Sequence, residues 1–84
     1  MEPVFFHFRL EVPVDVQEAL LSDIASWHTV SKVGRINPGT NQRDLARMCC
    51  AYASRDEDIN EIIMQLSGIA EIELAFLPAE RRLI

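Results

Sequence analysis

The side chains best suited to chemistry in this chain are two histidines, His7 and His28, and two adjacent cysteines, Cys49 and Cys50. Imidazoles and thiolates are soft metal ligands, but a zinc site usually announces itself by C-x-x-C or paired-histidine spacing, and neither occurs. On a strand, neighbouring cysteines point to opposite faces and cannot easily chelate one ion together. A nucleophilic cysteine needs a base and an electropositive setting. His7 on a first strand would lie across from Cys49 on a third, so this is the thiol–imidazole couple to look for; a cross-strand polar pair is its plainer meaning. Cys50 reads as a small core residue and Cys49 as a half-exposed one. Asp56, Glu57 and Asp58 form the densest carboxylate run, but acids gather at helix starts because the helix dipole favours them there. No G-x-S-x-G, P-loop or dinucleotide glycine pattern is present. Asn37-Pro38-Gly39-Thr40 is a turn rather than a phosphate cradle. No catalytic residue, metal or cofactor is assigned, and the chain is expected not to be an enzyme.

Composition narrows the field. Eighty-four residues make one domain, 1–84. Surface scaling gives about 5,000 Å² folded against about 14,000 Å² unfolded, enough burial for a single core without staples. A net charge of −5 argues against nucleic-acid binding, which needs a basic patch. The apolar runs are too short for a membrane span. Met1-Glu2-Pro3 does not resemble a secretion signal, so a cytoplasmic location is expected.

The elements that would position these residues can be read from periodicity. Residues Val4 to Val12 alternate as a first strand, with Val4, Phe6, Phe8, Leu10 and Val12 inward and Phe5, His7, Arg9 and Glu11 outward. Asp15 with Glu18 opens a helix whose stripe is Val16, Ala19, Leu20, Ile24 and Trp27, widened by Leu21. Residues Thr29 to Ile36 read as a polar edge strand. Residues Asp44 to Ala53 fit either a helical stripe through Leu45, Met48, Cys49 and Tyr52 or a strand face through Ala46, Met48, Cys50 and Tyr52. A strand is preferred, because the first and last strands would otherwise lack neighbours. Ser54 with Glu57 makes a capping box for a helix with Ile59, Ile62, Ile63 and Leu66 inward, closed by Gly68 in a left-handed cap. Ala70, Ile72, Leu74 and Phe76 then face inward on a last strand, with Glu71 and Glu73 outward, until Pro78 ends it. The tail 78–84 is expected to fray.

The order β-α-β-β-α-β is that of a ferredoxin-like α+β sandwich, a four-stranded antiparallel sheet with two helices on one face. The first and third strands are expected in the middle. The other face is left bare, carrying Phe5, His7, Arg9, Leu45, Arg47, Cys49, Ala51, Glu71, Glu73 and Leu77. From it, Phe5, His7, Arg9, Arg47, Cys49, Glu71, Glu73 and Leu77 are taken as partner-binding candidates, for a homodimer or another protein. A solvated face with scattered apolar residues is the bland alternative.

The run Ile59 to Phe76, with Gly68-Ile69 joining helix to strand, resembles the last helix and strand of ACT-like regulatory modules. That resemblance implies dimerisation and a small effector or partner domain. The glycine turn those modules carry after the first strand is replaced here by Val12-Pro13-Val14-Asp15. The topology is also similar to that of subtilisin propeptides and related inhibitors, which implies protease binding through the sheet face and the tail Leu77 to Ile84. The expected function is a non-enzymatic binding or regulatory module that self-associates or docks a partner through the open face. The alternative is a propeptide-like inhibitor of a subtilisin-type protease.

Overall fold

The structure, a computed structural model, describes residues 3–77. In order these form strand β1 (Pro3–Phe8), helix α1 (Val14–Ala25), strand β2 (Val30–Arg35), a one-turn helix α2 (Arg43–Ala46), strand β3 (Met48–Ala53), a 3-10 turn (Asp56–Asp58), helix α3 (Ile59–Ser67) and strand β4 (Ile72–Phe76). The sheet is antiparallel throughout, in the order β2-β3-β1-β4, so β1 and β3 lie in the middle. Ile24 of α1 and Ile62 and Leu66 of α3 join Val4, Phe6 and Phe8 in one core, so both longer helices cover the same face. Phe6 and Phe8 meet edge to face with ring centroids 5.8 Å apart. The shortest dimension of the molecule is 21 Å, the thickness of one sheet and one layer of helices. Among the described residues no helix is long and apolar enough to cross a membrane.

Among the described residues three helices are present rather than two, because residues 44–53 divide. Arg43–Ala46 makes a single helical turn and Met48 begins the strand. The preferred strand forms, whereas the helical stripe through Leu45, Met48, Cys49 and Tyr52 does not, since the last three of these lie on β3. The first strand is shorter than expected. It ends at Phe8, after which Val12 N–H turns back to the Arg9 carbonyl, leaving Leu10 exposed while Val12 stays buried. Neither capping box forms. Pro13 precedes α1 with no side-chain cap. Ser54 continues the β2–β3 end instead: its N–H donates to the Thr29 carbonyl (2.8 Å) and its hydroxyl to that of His28 (3.2 Å). Gly68 is right-handed, at φ −84°, and closes α3 through bonds to the Met64 and Gln65 carbonyls. The left-handed glycine is Gly39, at φ +86° in the 37–40 turn.

Two facings are reversed. Alternation separates the residues of a strand into two sets without saying which set is inside. On β3 the register decides: Ala51 pairs with Val4 and Cys49 with Phe6, so Cys49, Ala51 and Ala53 are buried. Cys50, read as the core cysteine, is on the open face together with Met48 and Tyr52. On β4 a bulge intervenes. Ile72 pairs with Phe8 but Leu74 with His7, so Glu73 is the extra residue and the facing flips beyond it. Ile72 and Ala75 point inward, while Leu74 and Phe76 share the open face with His7 and Phe5.

A polar clamp ties α1 to the sheet edge. The Arg35 guanidinium donates to Glu18 Oε2 through Nη2 (2.7 Å) and Nε (3.2 Å), and Nη1 donates to Gln17 Oε1 (2.9 Å) and the Ala46 carbonyl (2.6 Å). Buried Gln17 in turn donates to the Val12 carbonyl at 3.0 Å. Gln17 lies seven residues before Ile24, in line with the apolar stripe, which is the sequence signal for its burial.

The facing of β4 is testable by urea unfolding at low micromolar protein. Phe6→Ala is expected to cost about 3–5 kcal/mol. Leu74→Ala, at a side chain 51% exposed, is expected to stay within about 0.5 kcal/mol of wild type. A Leu74 penalty as large as that of Phe6 would mean that Leu74 lies in the core.

Candidate functional site

The uncovered side of the sheet is the candidate site. Its floor is set by pairing. Phe5 and Phe76 lie opposite each other across β1 and β4 and meet edge to face at 6.0 Å between centroids. The His7 ring meets Phe76 at 6.4 Å, also edge to face. Leu74 continues this edge, and half-buried Met48, Cys50 and Tyr52 form the middle. On the β2 side Gly34 lies opposite Cys50, and Ile36 closes the row through its N–H bond to the Met48 carbonyl. Without a side chain at Gly34, a shallow hollow of about 400 Å³ opens between Phe5, Lys32, Ile36, Cys50 and Tyr52.

Polar groups enter at one corner. Arg47, between α2 and β3, turns its Nη1 to three acceptors: the Glu73 carboxylate (2.8 Å), the Phe8 carbonyl (3.0 Å) and His7 Nδ1 (3.1 Å). Its Nε is buried without a hydrogen-bond partner, the Asp44 carboxylate standing 3.9 Å away. The bulge at Glu73 places that carboxylate within reach of Arg47. A guanidinium held by a carboxylate and a carbonyl is a strong fixed element rather than a free cation.

Of the eight candidates, the structure gathers Phe5, His7, Arg47 and Glu73 at this face. Leu77 follows β4 and is 37% exposed. Arg9 and Glu71 lie just past the paired Phe8 and Ile72, at the end of β1 and β4 that carries the Arg47 corner. There the Arg9 N–H donates to the Glu71 carbonyl (2.9 Å) and its Nε to that of Ala70 (2.8 Å). Cys49 is removed from the site, being fully buried on the covered face. Met48, Cys50, Tyr52, Leu74, Phe76 and Ile36 were missed as site residues; all but Ile36 follow from the two reversed facings. The tail on which the inhibitor reading depends, 78–84, lies outside the described residues.

The structure keeps the thiols and imidazoles apart. His7 pairs with Met48, while Cys49 pairs with Phe6 and points the other way, so no His7–Cys49 couple exists. Burial pushes the Cys49 thiol up to about 12, with Arg35 opposing only in part. Burial also raises Cys50, against the pull of Lys32 and a hydrogen bond from Tyr52. His28 sits on the exposed turn before β2. Among the described residues no three His, Cys, Asp or Glu side chains converge to hold a metal ion.

Iodoacetamide is expected to label Cys50 in the folded protein and Cys49 only after unfolding. Equal native rates would mean that β3 presents its other face. The Cys49 shift also has a pH consequence. An unfolded thiol ionises near 9.0 and the folded one at about 12, so the unfolded state loses its proton first. Stability contributed by the protonated thiol is complete below 9.0 and falls as pH rises toward about 12. Cys49→Ala should flatten that alkaline loss in urea titrations. Compared with protein-family models, curated proteins and solved structures, the chain matches none.

Proposed function

We propose that the chain is a non-enzymatic, cytoplasmic binding module of the ferredoxin-like kind, and that its open sheet face takes a second copy of itself. The βαββαβ arrangement is supported by the central β1 and β3 and by α1 and α3 sharing one face; the single turn α2 is an addition between β2 and β3. The observation that carries the reading is the chemistry of the uncovered face. Leu74, Phe76 and Ile36 are 51%, 37% and 38% exposed there, beside half-buried Phe5, Met48 and Tyr52. Contiguous apolar surface of this kind marks an interaction site.

Charge placement favours a second copy as the occupant. Asp15, Glu18 and Asp23 lie on α1, and Asp56, Glu57, Asp58 and Glu61 on the 3-10 turn and α3, so the acids crowd the helix layer. The open face holds Lys32 and the mutually neutralised Arg47–Glu73 pair. Two chains of net charge −5 repel each other over most of their surfaces, and this face is where repulsion is least. Its size is adequate. Four strands about 4.8 Å apart, with five or six residues each at about 3.3 Å, give on the order of 350 Å² in plan. Two such faces, with their side-chain relief, bury roughly 1,000 Å², near the lower bound for a specific interface. The dimer is therefore concentration-dependent, and it tightens as salt screens the acidic helix layers.

Sedimentation equilibrium checks this. Wild type is expected to be dimeric at high micromolar concentration, and Leu74→Lys monomeric. Met64→Lys, at an exposed site on α3, is expected to leave the dimer intact. A monomeric wild type, or a Leu74→Lys protein that still dimerises, rules the reading out.

A further inference from the structure

We propose that His7 is a pH-sensitive latch in the open face: neutral, it permits two sheets to pair, and protonated, it weakens their pairing. This rests on the dimer reading above and names its regulation.

The latch is built from the three-way contact at Arg47. A guanidinium has no lone pair to offer, so across the 3.1 Å contact Nη1 of Arg47 donates and Nδ1 of His7 accepts. His7 is thereby fixed as the neutral tautomer with its proton on Nε2. Nη1 carries two hydrogens and faces three acceptors, and the His7 bond is the longest of the three. A proton arriving at Nδ1 sets an N–H against an N–H. The imidazolium then has one carboxylate near it, Glu73 Oε1 at 3.9 Å, which already serves Arg47 at 2.8 Å. Two cations come to share one close carboxylate.

The remaining neighbours do not compensate. β4 presents the Phe76 ring and Leu74, and β3 presents Met48 opposite His7 in register. Asp44 of α2 lies 3.9 Å from Arg47 Nε rather than beside the imidazole. Within one chain water can solvate the extra charge, since the His7 side chain is 18% exposed. A second sheet laid over it removes that water, and an unpaired charge is costly to bury. Association should therefore be strongest with His7 neutral and weaken once it is protonated.

The sign is testable against a background that runs the other way. Acidification also protonates carboxylates, lowers the net charge of −5 and so favours pairing. His7→Asn keeps an acceptor oxygen near the position of Nδ1 and does not titrate. The dimer Kd of wild type and His7→Asn would be measured at about pH 7.5 and about pH 5.5, the span in which imidazoles change charge. Wild-type Kd is expected to rise about tenfold or more relative to the variant. Identical pH responses overturn the proposal. Nitrogen-15 spectra of the imidazole supply a second readout that needs no dimer. At about pH 7.5 His7 should show a bare Nδ1 and a protonated Nε2, and an Nδ1–H tautomer sinks the latch. If both proteins are monomeric at both pH values, the dimer reading and its pH control fall together. A bare Nδ1 in that case leaves the Arg47–His7 geometry as a separate result.

Discussion

The pairing of β1 with β3 is the constraint on which the rest of the structure depends. Val4 opposite Ala51 and Phe6 opposite Cys49 put the large side chains of one central strand beside the small ones of the other. The helices then have room to bring Ile24, Ile62 and Leu66 down onto Phe6 and Phe8. A slip of one residue would exchange the two faces of β3, driving Met48 and Tyr52 under the helices and exposing the thiol and methyl groups. Core packing at near-crystalline density is intolerant of such an exchange. The inward small set and the outward large set are thus one decision with two results. It closes the core on one side and assembles an apolar surface on the other.

Two polar devices hold the layers in that relation. At the β2 edge Arg35 forks onto Glu18 and also reaches Gln17 and the Ala46 carbonyl, joining α1, β2 and α2. At the opposite side Arg47 joins the end of β1, the bulge of β4 and the start of β3 through His7, Phe8 and Glu73. Each guanidinium satisfies several acceptors at once, which a planar fork does with less lost freedom than separate contacts would need. The difference between them is location. Arg35 lies toward the helix layer, while Arg47 borders the open face and brings a titratable ring into its hydrogen bonds.

The same facing explains why the residue types that invited chemistry do not produce it as a set. Adjacent thiols on a strand are separated by the sheet itself, one sealed in the core and the other facing out. Cys49 is kept protonated by burial, and His7 is committed to a guanidinium. What remains available on the outer face is contact area with little net charge, on a molecule most of whose described acids lie on its helices.

Local pattern determined a good deal. The alternation in β1 identified Val4, Phe6 and Phe8 as core, and the 3,4 spacing in α3 identified Ile62 and Leu66, because burial on one face leaves that periodic trace. The apolar runs and the breakers at residues 37–39 located β2, α3 and β4, while residues 44–53 fitted helix and strand alike and the strand was preferred only because the first and last strands needed neighbours. Phe5 and His7 were legible on the open face from the alternation of β1, whereas Arg47 reaches it from the turn before β3 and Glu73 as the bulge residue of β4. Other features depend on residues far apart in the chain. Which half of β3 faces inward was set by Val4 and Phe6 more than forty residues earlier. The inversion of Leu74 and Phe76 required a bulge where β4 meets His7 and Phe8. Ser54 abandoned its capping role because the Thr29 and His28 carbonyls were within reach. Periodicity records that a strand has two sides; the choice between them is made by the partner strand, and so belongs to the tertiary structure.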